Sequence, residues 1–256
     1  MVRNARMNWI LLQPSEVAAT GRAELAGDRA AHIQNVLRAE PGKVLRIGLV
    51  NGPFGCGTVE AVSAGTVLLS CEFEEMPPPR PPVDLLLAMP RPKVLKRLWA
   101  QLAALGVGRI ILTNAEKVER FYFDTHVLAP EFYTARFIEG LQQAGDTQLP
   151  EVTIVRQLKP FLENETFPGI GKKILADPSG TRTLFQTLEK TDGDFPAVGS
   201  RVLLAIGPEG GWTPYELEMF QANGFELFGI GPRVLRTDTA CIGLSCMLAE
   251  AKRIGI

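Results

Sequence analysis

The sequence predicts an α/β protein in two parts: a small strand-rich domain, then a larger domain with a parallel sheet and helices on its faces. Three observations carry this. PPPRPP at 77–82 places five prolines in six residues, a run that continues neither a helix nor a central strand and favours an extended linker. Before it, short apolar runs alternate with glycine turns. After it, continuous apolar runs alternate with helical periodicities, the pattern of strands buried on both faces. The expected boundaries are 1–76, a linker at 77–82, and 83–256.

In the first part KVLRIGLV (43–50), GCGTVEAV (55–62) and TVLLSCEF (66–73) read as strands, joined by turns at 51–55 and 63–65. One helix is expected over 27–43, with Asp28 as N-cap and Pro41-Gly42 as terminator. Many short strands with one helix suggest a small barrel or compact sheet. In the second part strands are expected at 83–89, 109–114, 151–157, 172–177, 201–207 and 226–231. Helices are expected at 93–106, 130–145, 215–223 and 239–253.

Composition narrows the class. With 46% hydrophobic and 21% charged residues the chain has the makings of a core. No apolar run reaches the ~20 residues that span a bilayer. MVRNARMNWILLQPSE has too short an apolar stretch for a leader, so the expected location is the cytoplasm. Cys56, Cys71, Cys241 and Cys246 form no CxxC pair and lie far from His32 and His126, so small buried thiols are expected and no metal site. The net charge is −1, and residues 1–82 balance eight basic against eight acidic side chains. A nucleic-acid contact must therefore come from a local patch.

The sharpest local signal is LLAIGPEGGWTPYELE (203–218). Thr213-Pro214-Tyr215-Glu216 fits a capping box with proline at the first helical position. Gly207–Trp212 is then a loop at the carboxyl edge of a strand, where open α/β sheets bind ligands. From the glycines alone a tight structural turn is the favoured reading, and the lysine of a phosphate-binding loop is missing. A second stretch, GIGPRVLRTDTACIGLSCMLAEAK (229–252), enters a helix with Thr237 or Asp238 as N-cap. Ala240, Gly243, Ser245 and Ala249 on that helix allow close packing, within the core or across a dimer.

Together, IGPEGGWTPYELE and GIGPRVLRTDTA resemble the SPOUT methyltransferases, specifically the RsmE-type family that methylates uracil N3 in 16S ribosomal RNA. HIQNVLRAEPGKVLRI (32–47), LLLAMPRPK (85–93) and LQQAGDTQLPEV (141–152) extend the likeness over nearly the whole chain. The resemblance implies a PUA-like RNA-binding barrel joined to a SPOUT-type α/β domain with a C-terminal trefoil knot. It also implies a homodimer, S-adenosylmethionine as cofactor, and 16S rRNA or the small ribosomal subunit as partner.

Carried onto this sequence, the cofactor pocket is Ile206, Gly207, Pro208, Glu209, Gly211, Ile230, Gly231, Leu235, Arg236 and Thr237. Arg236, with Arg233 second, is the cation expected to stabilise the deprotonated base. A salt bridge from Arg236 to Glu209 or Asp238 is the competing reading. Glu209 either faces the sulfonium or caps loop amides. RNA contacts are expected from His32 and Arg38, and from Arg91, Lys93, Lys96 and Arg97. A solvated helix face would explain the last four as well.

Three positions depart from the family pattern. Gln101 and Ala104 stand where lysine and glutamate are usual, and Asp146 where arginine is usual. Two alternatives stay open beside the uracil-N3 reading: the same fold acting on another nucleotide or atom, such as a ribose hydroxyl, and a non-catalytic RNA-binding or ribosome-assembly protein.

Overall fold

A computed structural model describes residues 9–188 and 200–254. Of the amino-terminal stretch read as lacking a leader, residues 1–8 lie outside the described residues. Packing divides the chain at Pro79/Arg80, and Leu141–Leu149 is counted with the first unit.

The first unit contains β1 (Trp9–Leu12), β2 (Arg22–Ala26), α1 (Gly27–Ala31), β3 (Val44–Leu49), β4 (Phe54–Ser63) and β5 (Thr66–Phe73). They form a sheet ordered β1-β3-β4-β5-β2, in which β1 and β3 are parallel and the other pairs antiparallel. Alternate residues of β2, β3 and β5 turn inward with Ile10, Leu12, Ala30 and Ile33 to make its core. Neither β1 nor β2 is expected from sequence. RAELA consists of helix formers, and only its pairing with β5 makes it a strand.

The helix expected over 27–43 is shorter than its composition suggests. α1 widens into a π-helical segment at His32–Val36, and the backbone turns left-handed at Arg38, with φ of 48°, before Pro41 is reached. Asp28 does not cap it; the N-cap position is Ala26 and Asp28 lies in the first turn. The expectation of buried thiols holds for Cys71 and Cys241 only. Cys56 is exposed because the alternation of β4 turns it outward, and Cys246 faces away from the buried stripe of its helix.

Residues 141–149 belong to the first unit through specific bonds. The Asn51 N–H donates to the Thr147 carbonyl at 2.8 Å, the Thr147 hydroxyl donates to the Gly52 carbonyl at 2.6 Å, and the Asn51 side-chain oxygen accepts from Leu149 N–H at 2.9 Å. Asp146 is a turn residue here: its carboxylate accepts the amides of Thr147 and Gln148 at 2.6 and 3.1 Å.

The second unit contains β6 (Val83–Ala88), α2 (Pro92–Ala104), β7 (Val107–Thr113), α3 (Pro130–Ala144, its last turn counted with the first unit), β8 (Glu151–Val155) and α4 (Leu158–Asn164). It continues with β9 (Ile170–Ala176), α5 (Leu184–Leu188), β10 (Arg201–Ile206), α6 (Pro214–Ala222), β11 (Glu226–Phe228) and α7 (Thr237–Ile254). The sheet order is β11-β9-β10-β6-β7-β8, and every pair is parallel. β6 is buried throughout, as a central parallel strand covered on both faces must be. α2 buries Leu95, Leu98, Trp99, Leu102 and Ala103, a helical stripe. Gly140 of α3 lies so close to α2 that a Cβ there would sit 2.1 Å from the Ala100 carbonyl oxygen. α4 was hidden by Pro160, which the first turn of a helix tolerates.

The amino edge of this sheet is held by charge. Arg201 and Asp84 pair at 2.8 Å, with Asp84 only 1% exposed, while Arg80 pairs with Glu151 at 2.6 Å and donates to the Gly108 carbonyl. Desolvation pushes the Asp84 carboxyl above its usual range; Arg201, Arg80 and Arg109 oppose that rise. Arg201→Ala, which strands this carboxylate, is expected to lower unfolding free energy by about 3–5 kcal/mol at neutral pH. A group whose folded pKa is raised takes up its proton more readily in the folded state, so its unfavourable contribution grows as pH rises above about 3.9. The variant's deficit should therefore shrink on acidification, which urea titrations at pH 4.5 and 8 would measure.

Candidate functional site

Three loops meet at the carboxyl ends of β9, β10 and β11. The loop after β9 meets the end of β11 through main-chain bonds. Asp177 N–H donates to the Phe228 carbonyl at 3.0 Å, and Gly229 N–H to the Arg182 carbonyl at 2.9 Å. Between them, the loop Gly207–Trp212 leaves β10 and turns into α6.

That loop is fixed from both ends. The capping box is present: the Glu216 carboxylate accepts from Thr213 N–H at 2.8 Å, and the Thr213 hydroxyl accepts from Glu216 N–H at 3.3 Å. Glu216 is 5% exposed, and its second oxygen accepts Glu116 N–H at 2.8 Å, joining α6 to the loop after β7. Lys117 donates to the Gly210 carbonyl at 2.8 Å and the Thr237 hydroxyl to the Gly207 carbonyl at 3.3 Å. Glu216→Ala removes the box and leaves Glu116 N–H without its carboxylate. It is expected to destabilise the protein by about 1–3 kcal/mol in chemical denaturation.

The loops line a cleft that is open on one side. Its wall includes Ile206, Gly207, Pro208, Glu209, Gly211, Ile230, Gly231, Leu235 and Thr237 of the expected pocket, together with Arg233. Ala176, Asp177, Pro178, Trp212, Val234, Ala240 and Leu244 also line it and were not expected. Trp212, Val234 and Ala240 stand inside the two quoted motifs and were the legible omissions. Arg236 is not part of this wall; it is exposed at the start of α7, where its carbonyl accepts Ala240 N–H at 2.9 Å. The helix thus begins at Thr237, whose hydroxyl is used on Gly207 rather than as a cap, and Asp238 accepts the next amide, Thr239 N–H, at 2.9 Å besides its bond from Arg97.

The charged residues sort themselves. Asp238 pairs with Arg97 at 3.3 Å, and Glu209 accepts the main-chain N–H of Arg91 at 3.3 Å. Glu209 is therefore an amide-capping carboxylate, and neither acid neutralises Arg236. Among the described residues no ion pair involves Arg233 or Arg236. Arg91, Lys93 and Lys96 are exposed at the start of α2, and among the described residues their side chains make no ion pair, whereas Arg97 is held by α7. His32 and Arg38 are exposed in the first unit. Gln101 is exposed on α2 and Ala104 half-buried.

The wall suits a ligand read by main chain. Gly211 and Gly231 have φ of 71° and 101°, and a Cβ on either would point into open space. The indole N–H of Trp212 is buried without an acceptor. Ile206, Ala240 and Leu244 supply an apolar side. Among the described residues no group of three or more acidic, histidine or cysteine side chains could hold a metal ion, and no helix is long and apolar enough to cross a membrane.

The chain is similar to known proteins along its length. The RNA methyltransferase domain model matches residues 77–249. A ribosomal RNA small subunit methyltransferase E of Treponema pallidum is 32% identical over 96% of this chain and 92% of its own. A Legionella pneumophila methyltransferase solved with bound cofactor SAM shares the fold, with TM-score 0.74, 24% identity, and coverage of 96% of this chain and 98% of that one. So does the ribosomal RNA small subunit methyltransferase E of Neisseria gonorrhoeae, bound to S-adenosyl methionine, with TM-score 0.74, 18% identity, and coverage of 97% and 98%. With a cleft built from two glycine loops at the edge of a parallel sheet, and these likenesses over nearly its full length, the chain belongs to the ribosomal RNA small subunit methyltransferase E family of RNA methyltransferases.

Proposed function

We propose that this protein transfers a methyl group from S-adenosylmethionine to N3 of a uridine in 16S ribosomal RNA. The observation that carries the reading is the side-chain-free wall at Gly211 and Gly231, beside the buried, acceptor-less Trp212 N–H. When bound, S-adenosylmethionine supplies a methyl group on a positively charged sulfonium. The residues present fit it: main-chain N–H and C=O groups of Gly207–Gly211 and Ile230–Leu235 hold its polar parts, and Ile206, Ala240 and Leu244 exclude water.

The chain's remaining work is on the base. Uracil N3 becomes nucleophilic on losing its proton to solvent, and a guanidinium beside it favours that loss by stabilising the anion. Arg233 lies in the cleft wall, and Arg236 stands three residues further on, with no ion pair among the described residues. We assign them this role. Aligning acceptor and methyl group supplies the rest.

The reading extends to the whole chain. The strand-rich segment 1–76, with its five-stranded sheet and one short helix, acts as a PUA-like barrel that holds RNA through His32 and Arg38, and 77–82 links it to the methyltransferase domain 83–256. The carboxyl-terminal loops and α7 form a trefoil knot, and two copies make the working homodimer. The exposed Arg91, Lys93 and Lys96 bind phosphates.

Calorimetric titration with S-adenosylmethionine and S-adenosylhomocysteine tests the pocket. Micromolar binding, about −8 kcal/mol, is expected at one site per subunit. Mass-spectrometric mapping of 16S rRNA after incubation then tests the target. A methyl group on a ribose hydroxyl would keep the pocket and overturn the N3 assignment; no methyl transfer would overturn the activity.

A further inference from the structure

A second concavity opens at the carboxyl ends of β7 and β8, on the other side of the capping box from the cofactor cleft. It is a shallow concavity open to solvent, lined by Asn114, Glu116, Arg156, Lys159, Tyr215 and Met219, among others. Nothing in the cofactor reading uses it.

Its chemistry is specific. Tyr215 is 59% exposed although it sits in the first turn of α6, beside the buried Glu216. A large ring left in solvent on a rigid, capped helix start is a platform: its hydroxyl meets Lys159, and its exposure leaves area for a stacked ring. The Asn114 side-chain oxygen is buried without a donor, while its main-chain N–H is used on the Val155 carbonyl at 3.1 Å. Two cations flank these groups. The Arg156 guanidinium stands 5.1 Å from the centroid of the Phe123 ring, which steadies it. The Tyr215 hydroxyl beside it holds the Lys159 ammonium above the usual lysine range. Of the acids on or beside its wall, Glu216 is spent on main-chain and hydroxyl donors, Glu163 lies 3.9 Å from Lys159, and Glu116 is exposed on the wall, leaving Arg156 as the cation for a phosphate and Lys159 shared with Glu163.

An aromatic face, an amide oxygen seeking a donor, and two cations together match one nucleotide of a single strand: a base to stack, an exocyclic or ring N–H to donate, and a phosphate. We infer that this concavity binds an unpaired nucleotide of the RNA substrate that flanks the methylated one, stacking its base on Tyr215. The inference rests on the RNA methyltransferase reading, and it places a second contact next to the cleft because Thr213 and Tyr215 directly follow the glycine loop.

The test uses the full-length protein in two assays. In the first, methyl transfer to unmodified 16S rRNA in small subunits is measured for Tyr215→Ala, Tyr215→Phe and the double variant Arg156→Ala/Lys159→Ala. Tyr215→Ala and the double variant are expected to raise KM for RNA at least about fivefold, with kcat and cofactor Kd little changed; Tyr215→Phe keeps the ring and should retain the wild-type KM. An unchanged KM in Tyr215→Ala overturns the inference. So does a parallel fall in kcat and cofactor affinity, which would make Tyr215 a support of the glycine loop. The second assay follows fluorescence anisotropy of a labelled single-stranded RNA decamer and needs no turnover. Equal affinity of wild type and Tyr215→Ala there overturns the inference even if the wild type methylates nothing, a failure that would belong to the activity reading alone.

Discussion

Gly211→Val is expected to weaken S-adenosylmethionine binding by about a hundredfold, ~2.7 kcal/mol, and methyl transfer at low cofactor concentration in proportion. Two effects combine. With φ of 71°, Gly211 occupies a conformation that a non-glycine residue adopts at a penalty of about 1–2 kcal/mol, more for a β-branched one. The added carbons point into open space, and in this cleft that space is the ligand's. Gly65→Val separates the two. Gly65 has φ of 84° and equally open surroundings, but it sits in the β4–β5 turn of the first unit. It should lose stability to a similar degree and keep its cofactor affinity. Calorimetry on both variants gives the answer, and undiminished affinity in Gly211→Val would place the pocket elsewhere.

Removing the cation at the base has the larger effect on turnover. Arg236→Ala is expected to lower kcat by about 10²–10³, the usual loss when one donor to a developing anion is deleted, while cofactor affinity and thermal stability stay near wild type. The stability expectation follows from the structure: Arg236 is exposed and has no ion-pair partner among the described residues. Arg233→Ala is the necessary comparison, since Arg233 lies in the cleft wall. A large loss in Arg233→Ala with full activity in Arg236→Ala would transfer the role; full activity in both would remove arginine from the mechanism. Raising the pH should partly restore a variant that lacks the cation, because hydroxide then removes the proton unaided.

What was legible from sequence was what is local. The capping box at Thr213–Glu216 lies within four residues, so its chemistry reads directly, and with it the loop that precedes it. The glycines of that loop alone read as a tight turn; its position at the carboxyl edge of β10 is what pointed to a ligand. Ala176, Asp177 and Pro178 did not, because they reach the cleft only through the pairing of β9 with both β10 and β11. No short-range pattern encodes that order. Likewise, 141–149 joins the first unit through bonds to Asn51 and Gly52. Asp146 looked like a lost cation of a polar cluster, and is instead occupied with two amides of its own turn. The Arg236 salt bridge was a fair alternative from charge alone, and it fails because Arg97 and the Arg91 amide take the two acids first.

The strand order also governs how the chain is made. β6 pairs with β7, which follows it closely, but its other edge is completed only by β10, where Val83 meets Val202 and Leu87 meets Ile206. β10 must then slip between β6 and a β9 that is already synthesised. During translation a strand that is buried throughout in the finished fold therefore waits with an open edge until the ribosome has delivered most of the second unit. Such long-range parallel pairing is slow, and open edges invite association with other chains. For a protein whose substrate is the ribosome's own RNA, expression yield should respond more to chaperone supply and temperature during synthesis than to the stability of the finished fold.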